Sequence, residues 1–183
     1  MKEVYYTERL ILRILEPKDA KLVLDYLIRN KDFLREWETD RSDYYYTLSN
    51  QKKLLGKDYE RYIEGLMLRL WVFKKDEPKK VIGTIALDNI IRGPFLSSFI
   101  GYRLDKDYLN RGYTTEALQK LIHIAFDDMG LHRLEANIMP RNSRSLRVVE
   151  KLGFENEGIS RDYLKINEKW EDHIHMVLLN KNI

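Results

Sequence analysis

Arg103-Leu104-Asp105-Lys106-Asp107-Tyr108-Leu109-Asn110-Arg111-Gly112-Tyr113-Thr114-Thr115-Glu116-Ala117-Leu118 is the most informative stretch of the chain. A β-rich run over 97–104 ends in it, a short polar loop follows, and a long helix begins just after Gly112. The helix is read from Leu118, Leu121, Ile122, Ala125 and Met129, which recur at helical spacing and share one face. It runs from Tyr113 to Met129, and Gly130 stands where a left-handed C-terminal cap belongs. The first N–H groups of such a helix lack intrahelical partners and lie at the positive end of its dipole. A strand–loop–helix start of this kind is an anion site, suited to a pyrophosphate. Gly112 lets the backbone approach phosphates closely, and Asn110 and Arg111 add a donor and a positive charge. Read alone, the segment also fits a plain turn beside a solvated arginine. It lacks the glycine-rich run with Lys-Ser/Thr of a phosphate loop and the three glycines of a dinucleotide fingerprint.

Working outward, Leu10, Leu12 and Ile14 alternate with Arg9, Ile11 and Arg13, which predicts an early strand. Pro17 precedes a helix over Lys18–Arg29, where a first-turn proline costs no hydrogen bond. Thr47 or Ser49 caps a second helix reaching about Gly65. Leu70–Lys74 and Lys80–Asp88 read as strands joined by a hairpin over 75–79, and Ser97–Leu104 as a third. Beyond the central helix, Leu134, Ala136 and Ile138 alternate with Arg133, Glu135 and Asn137 in a strand over 132–138. Asn142 is an N-cap for a helix over Ser143–Leu152, which Gly153 ends. The tail over 154–179 holds two β-rich runs around Ile166-Asn167-Glu168-Lys169. The order is β-α-α-β-β-β-α-β-α-β-β, an α/β (α+β) chain with hairpins and some parallel pairing in its second half.

The 183 residues fit one domain spanning 1–183. With 44% hydrophobic and 33% charged residues the composition is globular. No cysteine is present, which excludes disulfides, a cysteine nucleophile and thiolate metal sites. The absence is compatible with a reducing cytoplasm, the expected location. The start has no apolar segment of signal-peptide type, and no apolar run approaches the ~20 residues that span a bilayer. A net charge of +3 without a dense basic patch argues against nucleic acid as the main partner.

Two blocks resemble GNAT acetyltransferases. Asn110-Arg111-Gly112-Tyr113-Thr114-Thr115 is similar to the family's coenzyme-A pyrophosphate loop, whose pattern Gln/Arg-x-x-Gly-x-Gly/Ala falls on Leu109-x-x-Gly112-x-Thr114. Leu109 and Thr114 depart from it, the first by losing a polar side chain near the phosphates, the second by adding a branched Cβ. Leu131-His132-Arg133-Leu134-Glu135-Ala136, then Asn142-Ser143-Arg144-Ser145 and Glu150-Lys151-Leu152-Gly153-Phe154, resemble the ribosomal-protein N-terminal acetyltransferase (Rim-type) branch. The opening Thr7-Glu8-Arg9-Leu10-Ile11-Leu12-Arg13 is also similar to it. The resemblance covers nearly the whole chain. It implies a central, mixed, mostly antiparallel sheet flanked by helices, with a splayed parallel strand pair holding the co-substrate.

The resemblance further implies acetyl transfer from acetyl-coenzyme A to an amine by direct attack. Tyr102, Arg103 and Leu104 match the positions whose backbone pairs with the pantetheine amides. Asn110, Arg111, Gly112, Tyr113, Thr114 and Thr115 match the pyrophosphate loop, and Asn142 the cofactor-contacting asparagine. Ser145 matches the serine aimed at the leaving thiolate. Glu135 is a candidate base working through water, or an ion-pair partner of Arg133; Glu157 and Asp162 are alternatives. His123, His132, His173 and His175 form no metal pattern, and no metal is expected.

A chain-terminal amine, pKa ~7.8, is ~400-fold more available as the neutral form at pH 7 than a lysine at ~10.4. A site without an obvious strong base thus leans toward an α-amine, which agrees with the Rim-type resemblance. The expected acceptor is a protein N-terminus, such as that of a ribosomal protein. Small amines such as polyamines, amino sugars or antibiotics are the alternative, and a non-catalytic acetyl-coenzyme A sensor is a third reading. Trp37 and Tyr44-Tyr45-Tyr46 frame the acceptor side, a dimer contact or local packing. A monomer or a homodimer fits, and neither nucleic acid nor a membrane is expected as partner.

Overall fold

The computed structural model describes residues 2–182, so the two terminal positions of the expected 1–183 domain lie outside the described residues. One eight-stranded sheet organises the fold. Its strands are β1 (Val4–Tyr6), β2 (Leu10–Arg13), β3 (Leu68–Lys74), β4 (Glu77–Ile91), β5 (Ser97–Leu104), β6 (Arg133–Ile138), β7 (Glu155–Ile166) and β8 (Lys169–Leu179). The spatial order is β1-β2-β3-β4-β5-β6-β8-β7. Every neighbouring pair is antiparallel except β5 and β6. The helices are α1 (Ala20–Arg35), α2 (Leu48–Ile63), α3 (Tyr113–His123) and α4 (Ser143–Lys151).

Strand alternation produces two cores, one on each face of the sheet. Leu10, Leu12, Leu70, Val72, Ile85 and Leu87 pack with Leu118 and Leu121 of α3 and Val149 of α4. Trp71 and Phe73 turn the other way, against Val23 and Leu27 of α1 and Leu55 of α2. The sheet is therefore sandwiched between α1/α2 and α3/α4.

Several boundaries differ from the sequence reading for identifiable reasons. β1 is an additional strand, too short for a periodic signal, yet it buries Tyr5 and pairs it with Leu12. Helix α1 continues to Arg35, and β4 runs from Glu77 to Ile91 rather than 80–88. The β3–β4 register jumps from Phe73↔Val81 to Lys74↔Glu77, and Pro78 falls in that irregular stretch, where a missing N–H breaks no ladder bond. The central helix is α-helical only to His123. A π-helical turn, Ile124–Asp128, follows, with the Met129 N–H donating to the Ile124 carbonyl at 3.0 Å. The wider turn rotates the apolar stripe, so that Ile124 is buried with Ala125 and Met129 while Ile122 moves to the core edge. The tail hairpin closes through Asn167 and Glu168, both at positive φ (47° and 66°), the geometry that matches strand twist in a two-residue turn.

The parallel pair positions the site. β5 and β6 are joined only at Ser97↔Arg133, Ser98↔Leu134 and Phe99↔Glu135. Beyond Phe99, β5 stays on β4 as far as Leu104, and beyond Glu135, β6 stays on β8 as far as Ile138. The two strands splay apart between residues 100–104 and 136–138.

Candidate active site

A groove of about 1200 Å³ runs through this gap. It reaches from the loop before α3 and the start of α4 on one face to the segment after α1 on the other. Tyr102, Arg103, Leu104, Asn110, Gly112, Tyr113, Thr114, Thr115, Asn142 and Ser145 all line it. Arg111 and Glu135 stand outside it.

On the α3/α4 side the groove is built for an anion. Gly112 is the N-cap of α3 at φ 78°, a left-handed conformation that glycine adopts without strain. A Cβ there would come within 3.4 Å of Arg9 Nη2. Arg9 donates from Nη1 to the Arg111 carbonyl at 3.0 Å and from Nε to Glu116 at 2.7 Å. Glu116, in the first turn of α3, also accepts from Thr7 Oγ1 at 2.6 Å and from the Arg9 N–H at 2.8 Å. Burial pushes the Glu116 carboxyl up, but these hydrogen bonds and the Arg9 charge outweigh it and hold it below its ordinary range. The Arg111 guanidinium lies 5.6 Å from the Tyr108 ring centroid, so its carbonyl rather than its charge shapes the loop. Cations come instead from α4, where Arg144, Arg147 and Lys151 line the groove. They lie three and four residues apart and share one helix face, a stripe readable in the sequence but not picked out there.

At the gap itself, Asn142 caps α4 by accepting from the Ser145 N–H at 3.2 Å. This fixes the first turn, and Ser145 Oγ lies 2.5 Å from the Tyr102 hydroxyl. Across the gap, Asn137 Nδ2 donates to the Tyr163 hydroxyl at 3.1 Å. Asn137 Oδ1 is buried and lacks a hydrogen-bond partner among the described residues. An orphan acceptor at this point suits a ligand N–H, such as an amide of a pantetheine arm.

The α1/α2 side carries different chemistry. Register places Arg69 beside Ala86, Ala86 beside Gly101 and Asp88 beside Phe99, so Arg69, Asp88 and Gly101 share this face. Asp88 Oδ2 is 3.9 Å from where a Gly101 Cβ would stand, and Arg69 Nη2 is 3.6 Å from Asp88 Oδ1. Glu38 and Glu36 also line the groove. Arg103 Nη1 donates to both Glu38 oxygens at 3.1 Å, and Arg141 holds Glu36 at 2.9 Å. Trp37 lies under the Arg141 guanidinium, 5.0 Å from the ring centroid. Tyr45 and Tyr46 pack edge to face beside a smaller pocket, and Tyr44 is exposed.

Two of the carboxylates weighed as bases in the sequence, Glu135 and Glu157, are engaged with other partners. Glu135 accepts from Arg133 at 3.0 Å and contacts His175 Nδ1 at 2.7 Å, and His175 Nε2 contacts Ser160 Oγ at 2.7 Å. Glu157 is held by the same Arg133. Asp162 is an exposed residue in the irregular stretch of β7 between Ser160 and Leu164, at φ 48°. His173 Nδ1 contacts the Glu171 carbonyl at 3.0 Å, and both His173 and His175 pack on the Tyr163 ring. Among the described residues no group of three or more His, Asp or Glu is arranged to hold a metal. Asp88, missed in the sequence, closes an apolar run on β4; its only local signal is a charge at that end.

The family model described as acetyltransferase (GNAT) domain matches residues 9–155. The chain belongs to the GNAT acetyltransferase family. The probable N-acetyltransferase YjcK of Bacillus subtilis is 41% identical over 169 residues, which is 92% of this chain and 93% of that protein. The ribosomal protein uS5-alanine N-acetyltransferase of Escherichia coli is 34% identical over 168 residues, 92% of this chain and 86% of that protein. The crystal structure of ribosomal-protein-S5-alanine acetyltransferase from Vibrio fischeri matches with a TM-score of 0.94 at 34% identity, covering 99% of this chain and 98% of that one. The sheet with its parallel pair is thus the GNAT fold, and the relatives agree with the Rim-type branch that the 131–154 block resembles.

Proposed function

We propose that this GNAT enzyme acetylates the α-amine of a protein N-terminus, with acetyl-coenzyme A as donor and a ribosomal protein as acceptor. The carrying observation is the gap between β5 and β6. It joins an anion-binding face, with Gly112 and the α4 cations, to a carboxylate-bearing face with Asp88. The Escherichia coli and Vibrio fischeri relatives, named for acting on the alanine of a ribosomal protein, support the choice of acceptor.

The residues fit acetyl-coenzyme A. The α3 N-terminus, with Arg144, Arg147 and Lys151, would hold its phosphates. The free edges of β5 and β6 and Asn137 Oδ1 would meet the pantetheine amides. Bound acetyl-coenzyme A supplies the acetyl thioester and a thiolate leaving group. Asp88 attracts the acceptor ammonium and takes one proton from it, freeing the nitrogen lone pair for attack; the N–H proton made acidic by the new C–N bond leaves to solvent. Ser145 donates to the thiolate.

The test is thiol release from acetyl-coenzyme A with peptides carrying free Ser, Ala or Thr termini, against blocked-terminus peptides with free lysines and against small amines. Turnover confined to free termini is expected. Turnover confined to polyamines or aminoglycosides overturns the acceptor assignment.

A further inference from the structure

Tyr102 and Ser145 come from β5 and α4 and meet at the α3/α4 face of the gap. The Tyr102 hydroxyl oxygen is 2.5 Å from Ser145 Oγ and 3.1 Å from the Ser145 carbonyl oxygen. Each side chain has one hydroxyl proton to give, so two arrangements satisfy the cluster. In one, Tyr102 donates to the carbonyl and its oxygen accepts the serine O–H. In the other, Tyr102 donates to Ser145 Oγ, and the serine proton is released toward the groove that both residues line.

We propose that Tyr102 is a positioning residue for departure of the leaving group: moving its single hydrogen bond from the Ser145 carbonyl to Ser145 Oγ, it frees the serine hydroxyl to donate to the departing thiolate. The inference rests on the acetyl-transfer reading and adds a side-chain role for Tyr102, whose backbone alone the family resemblance places at the co-substrate. Ser145 meets the electron pair left on sulfur as the C–S bond breaks and the new C–N bond forms; the ammonium proton has passed to Asp88 before attack, and the N–H proton shed on bond formation goes to solvent. No proton leaves Tyr102. The serine bond to sulfur strengthens only as charge develops there, so it acts on the transition state rather than on ground-state binding.

The alternative role, Tyr102 as the acid itself, is disfavoured by magnitude. Burial pushes the Tyr102 hydroxyl up to about 12, with the Ser145 contact opposing. A thiol titrates near ~8.5, so passing the phenolic proton to a thiolate is unfavourable by about three thousandfold. Tyr102 keeps its proton and acts through Ser145.

Tyr102→Phe, Ser145→Ala and the double variant test this, with melting as a folding control. Steady-state kinetics would use any amine that the parent turns over. Each single variant is expected to lower kcat by about ten- to a hundredfold with the KM for acetyl-coenzyme A nearly unchanged, and the double variant to be no slower than the slower single. Calorimetry with free coenzyme A gives a second readout. The parent should bind more tightly as pH rises through the thiol range, and Tyr102→Phe should lose that dependence. A Tyr102→Phe enzyme with parental kcat and parental pH dependence overturns the proposal, as do effects that multiply in the double variant. A parent that turns over no amine sinks the functional reading instead, and the calorimetric arm still decides on Tyr102.

Discussion

Arg9 and Glu116, 107 residues apart in sequence, meet at 2.7 Å beside the loop that opens α3. A carboxylate in the first turn of a helix competes with any anion bound at its N-terminus. Arg9 neutralises Glu116 and, through the Arg111 carbonyl, fixes the loop backbone. Arg9→Ala should therefore raise the KM for acetyl-coenzyme A on the order of tenfold while lowering kcat much less, read from initial rates at saturating acceptor. An unchanged KM would show that Arg9 is only a surface contact.

Gly112 carries the second prediction. Its φ of 78° disfavours any side chain, and a Cβ points at Arg9 Nη2. Gly112→Glu adds bulk and negative charge at the α3 N-terminus and should abolish coenzyme A binding in calorimetry. Gly112→Ala keeps the charge and carries strain of about 1 kcal/mol, so it should bind with intermediate affinity. Equal binding by all three proteins would remove the loop from the co-substrate site.

The sequence made the α3/α4 side of the groove legible and the α1/α2 side obscure, for one physical reason. Gly112, Asn142 and Ser145 sit at helix starts, where local rules of capping and positive φ tie residue type to position. Helix and strand order followed from the same periodicities, apart from β1, whose three residues carry no period, and the π turn at Ile124–Asp128. Asp88 is different. It comes to line the groove only because β4 lies against β5 and β5 leaves β6 after Phe99, a long-range fact that no local window holds. Glu135 shows the converse: its alternating strand position reads as a base or as an ion-pair partner of Arg133, the ion pair forms within β6, and pairing of β6 with β8 adds His175.

That pairing gives a pH prediction. Burial pushes the Glu135 carboxyl up, but the His175 and Arg133 contacts outweigh it and hold it below its ordinary value. A carboxylate with a depressed folded pKa stabilises the protein above its unfolded value, ~4.3, and that contribution is lost as pH falls through the folded pKa. Glu135→Gln should thus melt below the parent at pH 6, and the difference should shrink toward zero below about pH 4. Turnover by the variant at pH 7 should stay near the parent's, since Glu135 stands outside the groove. A loss of several hundredfold in kcat with an unchanged melting temperature would return Glu135 to the chemistry.

Asp88 is the sharper test of the acceptor face. Glu38 and Glu36 are tied to Arg103 and Arg141 by hydrogen bonds, whereas the Arg69 guanidinium stands 3.6 Å from Asp88. Asp88 is therefore the groove carboxylate best placed to take a proton beside Gly101. Asp88→Asn keeps the shape and removes the charge. It should lower kcat/KM at pH 7 by about 10²–10⁴-fold and leave coenzyme A affinity unchanged, because the phosphate side lies on the other face of the sheet. The size of the defect should depend on pH. The parent can draw on the ammonium form of an α-amine, while the variant must wait for the neutral form, whose population rises through ~7.8. The deficit should therefore narrow by pH 9. A deficit of constant size from pH 6 to 9 would assign Asp88 to acceptor binding alone and leave the proton to another acceptor or to water.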